Sequence, residues 1–242
     1  MEVKIGILAL QGGFREHKEI IELLAKQENH FNKYTCKEIK TDRDLVEFKP
    51  DGIILPGGES TAMSIISSAH TQGTDIKNIF DHLKEFVSNG KPIYGTCAGA
   101  IMLSDQVENQ KDGGQSLIGG LHIQTSRNYF GRQINSFQSR IRLDLPVIEK
   151  SPDESQPSVT ILDDIDGVFI RAPGITKILD KSVEILGRYQ VTLKDSTKET
   201  IITAVKQNNI LATVFHPELT VDTRFHKYFI DIVIAHKLSF LK

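Results

Sequence analysis

Cysteine is scarce in this chain: only Cys36 and Cys97 occur in 242 residues. Two thiols build no disulfide framework, and their scarcity fits a reducing compartment. An excess of one charge is also missing, since 29 basic and 31 acidic residues leave a net charge of −2. No long basic run appears, so nothing points to nucleic acid. No apolar run approaches the length of a membrane span. The first residues, Met1-Glu2-Val3-Lys4-Ile5, read as the start of a strand, which leaves no room for a signal peptide. No Cys/His set has ligand spacing, so no metal is expected, and nothing calls for a cofactor. Internal repeats and an interdomain linker are absent as well. What remains is ordinary for a globular protein, with 39% apolar and 25% charged residues. The length suits one α/β domain over residues 1–242 with a full core. A cytoplasmic enzyme or enzyme subunit is the expectation.

The stretch that organises the chain is Gly95-Thr96-Cys97-Ala98-Gly99. Lys91-Pro92-Ile93-Tyr94 leads into it as a strand, and Ala98 to Ser104 leads out as a helix. Strand, sharp turn and helix with a thiol at the apex is the cysteine form of a nucleophile elbow. Gly95 and Gly99 would remove side chains where strand and helix cross. Cys97 would sit where unpaired N–H groups and the helix dipole favour negative charge. The Ala98 N–H would face a developing oxyanion. Taken alone, the motif is equally compatible with a buried cysteine in an ordinary turn.

Elsewhere the pattern is alternating. Strands are expected at Val3 to Leu10, Tyr34 to Ile39, Gly52 to Leu55 and Leu121 to Thr125. Helices are expected at about Phe14 to Lys26, Thr61 to His70 and Ile76 to Asn89, with Gly90 as a stop, and a short helix or turn at Thr41 to Phe48. Val107 to Ser116 reads as a loop, and Pro146 to Ser158 as an exposed insertion. Phe137 to Leu143 alternates with period two, which predicts a half-solvated antiparallel strand. Further strands are expected at Val168 to Arg171, Val183 to Leu193, Thr200 to Lys206 and Leu211 to Phe215, with a turn at Asn208-Asn209. An amphipathic helix from about Arg224 to His236 ends the chain.

A cysteine nucleophile needs a base, and the base needs an orienter. His216-Pro217-Glu218 follows the last strand, so Glu218 can hold one ring nitrogen and leave the other for Cys97. The other seven histidines, His17 and His226 among them, read as structural. Pro56-Gly57-Gly58-Glu59-Ser60 follows a buried strand, where open α/β sheets bind ligands. Ser126 to Gln133 sets Arg127 and Arg132 around an aromatic pair, and alone it reads as a solvated loop.

Together these stretches resemble the class I (triad) glutamine amidotransferases. Leu8-Ala9-Leu10-Gln11-Gly12, Arg127-Asn128, Phe130 to Gln133, Ser136-Phe137 and Phe169 to Pro173 narrow the likeness to glutaminase subunits of pyridoxal 5′-phosphate synthases. The resemblance covers nearly the whole chain. It implies a flavodoxin-like three-layer αβα fold with a mixed, mostly parallel central sheet. It implies hydrolysis of L-glutamine to L-glutamate and ammonia through a thioester. The ammonia would pass to a separate synthase subunit, a (β/α)8 barrel in a ring of twelve. The triad maps onto Cys97, His216 and Glu218. Glutamine-contacting positions map onto Gly58, Glu59, Ser60, Arg127, Ile170 and Arg171. Gly58 and Ala98 would supply oxyanion-hole N–H groups, with Gln11 as a nearby helper. A guanidinium suits the α-carboxylate of glutamine and Glu59 suits its α-ammonium. Arg132 is an alternative to either arginine.

Polar insertions at Glu28 to Lys33, Thr71 to Thr74, Val107 to Ser116 and Pro146 to Ser158 depart from the compact bacterial pattern and interrupt no motif. Three other readings remain in view: a glutaminase serving another synthase, a non-catalytic regulatory scaffold, and a cysteine-protease-like member of related folds. Gln11-Gly12 with Arg127 to Gln133 opposes the first. The complete triad opposes the second. His216-Pro217-Glu218 and the Pro56 to Ser60 loop oppose the third.

Overall fold

The computed structural model describes residues 1–27, 33–68, 77–108, 110, 116–127, 129, 136–148, 159–192 and 198–240. Strand and helix alternate at first: β1 (Glu2–Leu8), α1 (Phe14–Gln27), β2 (Lys33–Ile39), α2 (Asp42–Phe48), β3 (Gly52–Leu55), α3 (Ser60–Ser68), α4 (Ile79–Ser88), β4 (Ile93–Thr96) and α5 (Ala98–Leu103). Strands then follow one another: β5 (Ser104–Val107), β6 (Leu121–Ser126), β7 (Ser136–Pro146), β8 (Val159–Ile170), β9 (Gly174–Ile178), β10 (Glu184–Thr192), β11 (Lys198–Gln207) and β12 (Ile210–Thr213). A 3-10 turn, Pro217–Leu219, and α6 (Arg224–Ser239) close the chain.

The centre of the sheet runs β2-β1-β3-β4-β12, and every pair in it is parallel. That is the flavodoxin-like strand order. Beyond β12 the sheet continues antiparallel through β11, β10, β7 and β8. β9 joins β11 to β6, and β6 pairs with β5. Parallel strands covered on both faces must be apolar throughout, and β3, β4 and β12 are buried at every position. The antiparallel β7 instead alternates between exposed and buried along its second half.

The chain moves one way from β1 to β2 and the other way from β2 to β3, so right-handed crossovers place α1 and α2 on opposite faces. α1 and α6 pack together on one face, while α2, α4, α3 and α5 touch in succession on the other. The result is three layers around a contiguous core. Tyr94, fully buried, stands near its middle, with Phe225 and Phe229 at ring distances of 5.5 and 5.6 Å.

Local signals explain several boundaries. Thr41 and Asp44 form a reciprocal capping box that starts α2. Asn78 accepts from the N–H groups of Phe80 and Asp81, so α4 begins at Ile79; Ile76, the expected start, lies outside the described residues. Three elements differ from expectation. Ser104-Asp105-Gln106-Val107 forms β5, whose polar run becomes a strand only by pairing with the distant β6. β8 starts at Val159, well before Val168, because β7 pairs with its acidic Asp163-Asp164-Asp166 stretch along an exposed edge. β9 forms directly after Ala172-Pro173, where the sequence suggests only a stop. Of the expected insertions Glu28 to Lys33, Thr71 to Thr74, Val107 to Ser116 and Pro146 to Ser158, residues 28–32, 71–74, 109, 111–115 and 149–158 lie outside the described residues, whereas Lys33 starts β2, Val107 ends β5 and Pro146 ends β7. Among the described residues, no helix is long and apolar enough to cross a membrane.

Candidate active site

The site forms at the carboxyl ends of β1, β3, β4 and β12, next to the point where the strand order reverses between β1 and β3. β4 delivers Cys97 with φ +48 and ψ −103, a conformation that a residue with a Cβ adopts only under strain. Three constraints hold it there. The Cys97 N–H donates to Thr213 O at 2.8 Å, and its carbonyl accepts from Ile101 N. A Cβ on Gly99 would lie 2.1 Å from Leu55 O, and one on Gly95 would lie 2.5 Å from the Gly99 backbone. Both glycines are therefore required by the strand–helix crossing, as the sequence suggests.

His216 and Glu218 arrive together at the end of β12. His216 donates from Nδ1 to Glu218 Oε1 at 2.7 Å, and Cys97 lies on the other side of its ring. Burial works against a charge on His216, yet its interactions with Cys97 and Glu218 outweigh it and raise its pKa to about 10. Glu218 is itself buried, which opposes ionisation. The charge environment of His17 and the bond from His216 hold it below the usual carboxylate range all the same. Cys97, His216 and Glu218 thus lie side by side, in the order that a nucleophile, its base and an orienter would take.

The neighbouring loop supplies the walls. Gly57 packs so closely that a Cβ there would sit 2.3 Å from the His216 ring. Gln11 reaches over from the end of β1, and its Oε1 accepts from the Glu59 N–H at 2.6 Å. A Cβ on Gly58 would meet that same oxygen at 2.4 Å. Gly12 takes φ +94, and a Cβ there would collide with Gly57 O, so the β1 and β3 loops lock against each other. Glu59 accepts from the N–H groups of Thr61 and Ala62 in the first turn of α3. Arg127 spans Glu59 Oε1 at 2.9 Å and Thr61 Oγ1 at 2.7 Å. Partial burial opposes the Glu59 charge, but the two amides, the Thr61 hydroxyl and Arg127 lower its pKa. In this geometry Glu59 orients Arg127. Arg171, at φ +46, follows β8 and turns toward the same space with Ile170.

A cleft of 780 Å³ joins these parts. Of the residues singled out from the sequence, Gln11, Gly58, Glu59, Ser60, Cys97, Ala98, Arg127, Ile170, Arg171, His216 and Glu218 line it. Arg132 lies outside the described residues. Glu16, Ile101, Glu108, Ser126, Pro173 and Leu219 also line the cleft and were assigned no role from the sequence. Among the described residues no group of three or more His, Cys, Asp or Glu could hold a metal.

The sequence also treats His17 and His226 as structural, yet they stand directly behind the triad. His17 Nε2 lies 3.5 Å from Glu218 Oε2 and 3.2 Å from Thr96 Oγ1. His17 Nδ1 lies 2.8 Å from His226 Nε2. Both rings are fully buried. The only available hint was His17 on the inner face of α1, with the apolar run of Ile20, Ile21 and Leu24.

Burial lowers the pKa of both histidines against the pull of Glu218, and takes His226 from 6.5 down to about 3. The unfolded chain accepts protons below pH 6.5 that the native state refuses. The contribution of these two histidines is therefore complete above pH 6.5 and is lost as pH falls toward 3. Between pH 7 and 5, one such histidine costs about 2 kcal/mol. Urea unfolding at the two pH values should show this loss, and His226→Gln, which cannot titrate, should reduce it by about 2 kcal/mol. Equal losses in the two proteins would exclude His226 as a source. The lowered carboxyls add to the slope only further into acid.

The comparisons with known proteins agree with this geometry. The model of the SNO glutamine amidotransferase family matches residues 7–235. The chain is 52% identical over 247 residues to a probable pyridoxal 5′-phosphate synthase subunit pdx2 of Dictyostelium discoideum, covering 99% of this chain and 96% of the relative. A probable PDX2 subunit of Arabidopsis thaliana is 41% identical over 94% of this chain and 85% of its own length. The PdxT subunit of Saccharolobus islandicus is 38% identical over 96% and 99%. A solved glutamine amidotransferase superposes with a TM-score of 0.69 at 34% identity, covering 95% of this chain and 98% of that one. Family model, relatives matched over nearly their whole length and a shared fold together show that the chain belongs to the SNO glutamine amidotransferase family.

Proposed function

We propose that this chain is the glutaminase subunit of a pyridoxal 5′-phosphate synthase, hydrolysing L-glutamine and handing the ammonia to a synthase partner. The observation that carries the reading is the linked set Cys97–His216–Glu218 at a strained elbow, in one cleft with two arginines. Cys97 Sγ attacks the side-chain amide carbon of glutamine. The amide oxygen becomes an oxyanion, held by the N–H groups of Gly58 and Ala98. His216 passes the proton taken from the thiol to the leaving nitrogen, and the C–N bond breaks to give ammonia and a thioester. His216 then draws a proton from water, which attacks the thioester carbon. The C–S bond breaks, and glutamate leaves with Cys97 restored. Glu218 holds the His216 ring throughout and balances its charge.

Arg127 and Arg171 are assigned to the α-carboxylate, where paired guanidinium N–H groups fit. Glu59 keeps Arg127 in place and is the carboxylate nearest in role to the α-ammonium. Ser60 and Ile170 complete the wall. Gln11, bonded to the Glu59 N–H, steadies the loop that carries Gly58. No cofactor or metal takes part. The partner is a synthase subunit, a (β/α)8 barrel in a ring of twelve by family resemblance, and the complex works in the cytoplasm as one amidotransferase unit per chain.

The adjacent Gly57 and Gly58 form a loop whose N–H groups the partner can turn inward. Glutamate production from glutamine, measured for the purified chain with and without the synthase subunit, tests the assignment. Strong stimulation by the synthase is expected. Full activity indifferent to it would keep the glutaminase and overturn the pathway, and inactivity in both cases would favour a scaffold.

A further inference from the structure

The triad does not end at Glu218. Its Oε1 accepts from His216, while Oε2 is buried with no hydrogen-bond partner among the described residues. An ionised oxygen left bare in a dry pocket is costly. The group that faces it is His17 Nε2, at 3.5 Å. His17 is reached from several elements: Glu218 and His216 from the loop after β12, Thr96 and the Tyr94 ring edge from β4, His226 from α6 and Glu16 from its own helix. His226 in turn faces His17, Tyr94, Glu218 and Asp222.

Two neutral imidazoles 2.8 Å apart share one proton between His17 Nδ1 and His226 Nε2, and its position is decided by the outer nitrogens. If His17 Nδ1 carries it, His17 Nε2 presents a lone pair to the Glu218 carboxylate. His226 then carries its own proton on Nδ1, which is buried without a partner. Both features are unfavourable. If His226 Nε2 carries it, His226 Nδ1 keeps only an unpaired lone pair. His17 Nε2–H then points between Thr96 Oγ1 and Glu218 Oε2. The second arrangement removes a like-polarity contact and an orphaned N–H at once.

We propose that His17, in its Nε2–H form, is a positioning residue that holds the second oxygen of Glu218, and that His226 fixes this form from behind. The functional line then runs Cys97–His216–Glu218–His17–His226, five side chains from β4, α1, the β12 loop and α6. The proposal rests on the glutaminase reading for its consequence, but its geometry can be measured without turnover.

The first experiment is a long-range ¹H–¹⁵N correlation spectrum of the full chain carrying ¹⁵N-histidine, at neutral pH. His17 and His226 should each show a proton on Nε2 and none on Nδ1. A proton on Nδ1 of His17 overturns the proposal, whatever the activity. The second compares His17→Leu with His17→Gln, whose amide N–H can reach the same carboxylate oxygen. In the presence of the synthase subunit, His17→Leu should lower kcat by about ten- to a hundredfold, the worth of a hydrogen bond to a charged group. KM should stay within about twofold, because the substrate wall is untouched. The acid limb of Cys97 alkylation by iodoacetamide should move up by about one pH unit, since Glu218 then holds its proton more tightly. His17→Gln should restore most of both. Equal losses in the two variants with an unmoved acid limb would reduce His17 to a packing residue. An inactive wild type with the expected tautomers would instead overturn the function and leave the positioning intact.

Discussion

Cys97→Ala is expected to abolish glutamate production, with glutamine and the synthase subunit present, while the protein remains folded. The substitution removes one sulfur atom and keeps the Cβ. Cys97 is 7% exposed, so little packing is lost with that atom. The strained φ of +48 is as unfavourable for alanine as for cysteine, so the elbow is not relieved by it. The urea midpoint should correspond to a stability within about 1 kcal/mol of wild type. Activity should fall by roughly 10⁴-fold or more, as when a nucleophile is deleted from a triad that acts as a unit. The reason is local, because His216 stands between Cys97 and Glu218, and no second cysteine lines the cleft among the described residues. Residual turnover well above the uncatalysed rate would remove Cys97 from the mechanism.

Gly99→Ala is expected to disrupt the crossing of α5 over β3. The added carbon would lie 2.1 Å from Leu55 O, 2.8 Å from Leu55 C and 2.9 Å from Leu55 Cβ. Two of those atoms belong to the backbone of β3, the strand that leads into the Gly57-Gly58 loop. α5 must move away from β3, and Cys97 moves with it. Overpacking of this kind costs about 3 kcal/mol. The loss should be visible as a lower urea midpoint together with lost glutaminase activity. Gly90→Ala is the control. No atom lies within 4 Å of its added carbon, and only its φ of +69 is strained. It should cost about 1 kcal/mol and leave activity unchanged. Equal effects at the two positions would show that crowding against Leu55 is unimportant.

Much of the site was legible because its chemistry is written in short contiguous stretches. Cys97 sits between two glycines, and His216 and Glu218 are two residues apart. Glu59 and Ser60 follow directly on Gly57-Gly58. Each stretch ends a buried parallel strand, and the carboxyl ends of such strands share one edge of the sheet. Arg127 and Arg171 needed the family resemblance as well, because a loop arginine by itself is usually solvated. Folding gives the Glu59 carboxylate the α3 amides and Arg127, a partner 68 residues away, which the sequence could not show.

The alternation of apolar strands and amphipathic helices settles the α/β class and the parallel centre, because periodicity and turn chemistry act over a few residues. Pairing decided the rest. β5 and the acidic half of β8 have no apolar alternation of their own, and exist as strands because β6 and β7 satisfy their backbone groups. The layer behind the triad was decided in the same way. His17 and His226 are 209 positions apart, and either one alone looks like any core histidine. Only when α1 and α6 close over β4 do their rings meet beneath Glu218. Burial then withholds their protons, and the bare carboxylate oxygen gives the pair a direction.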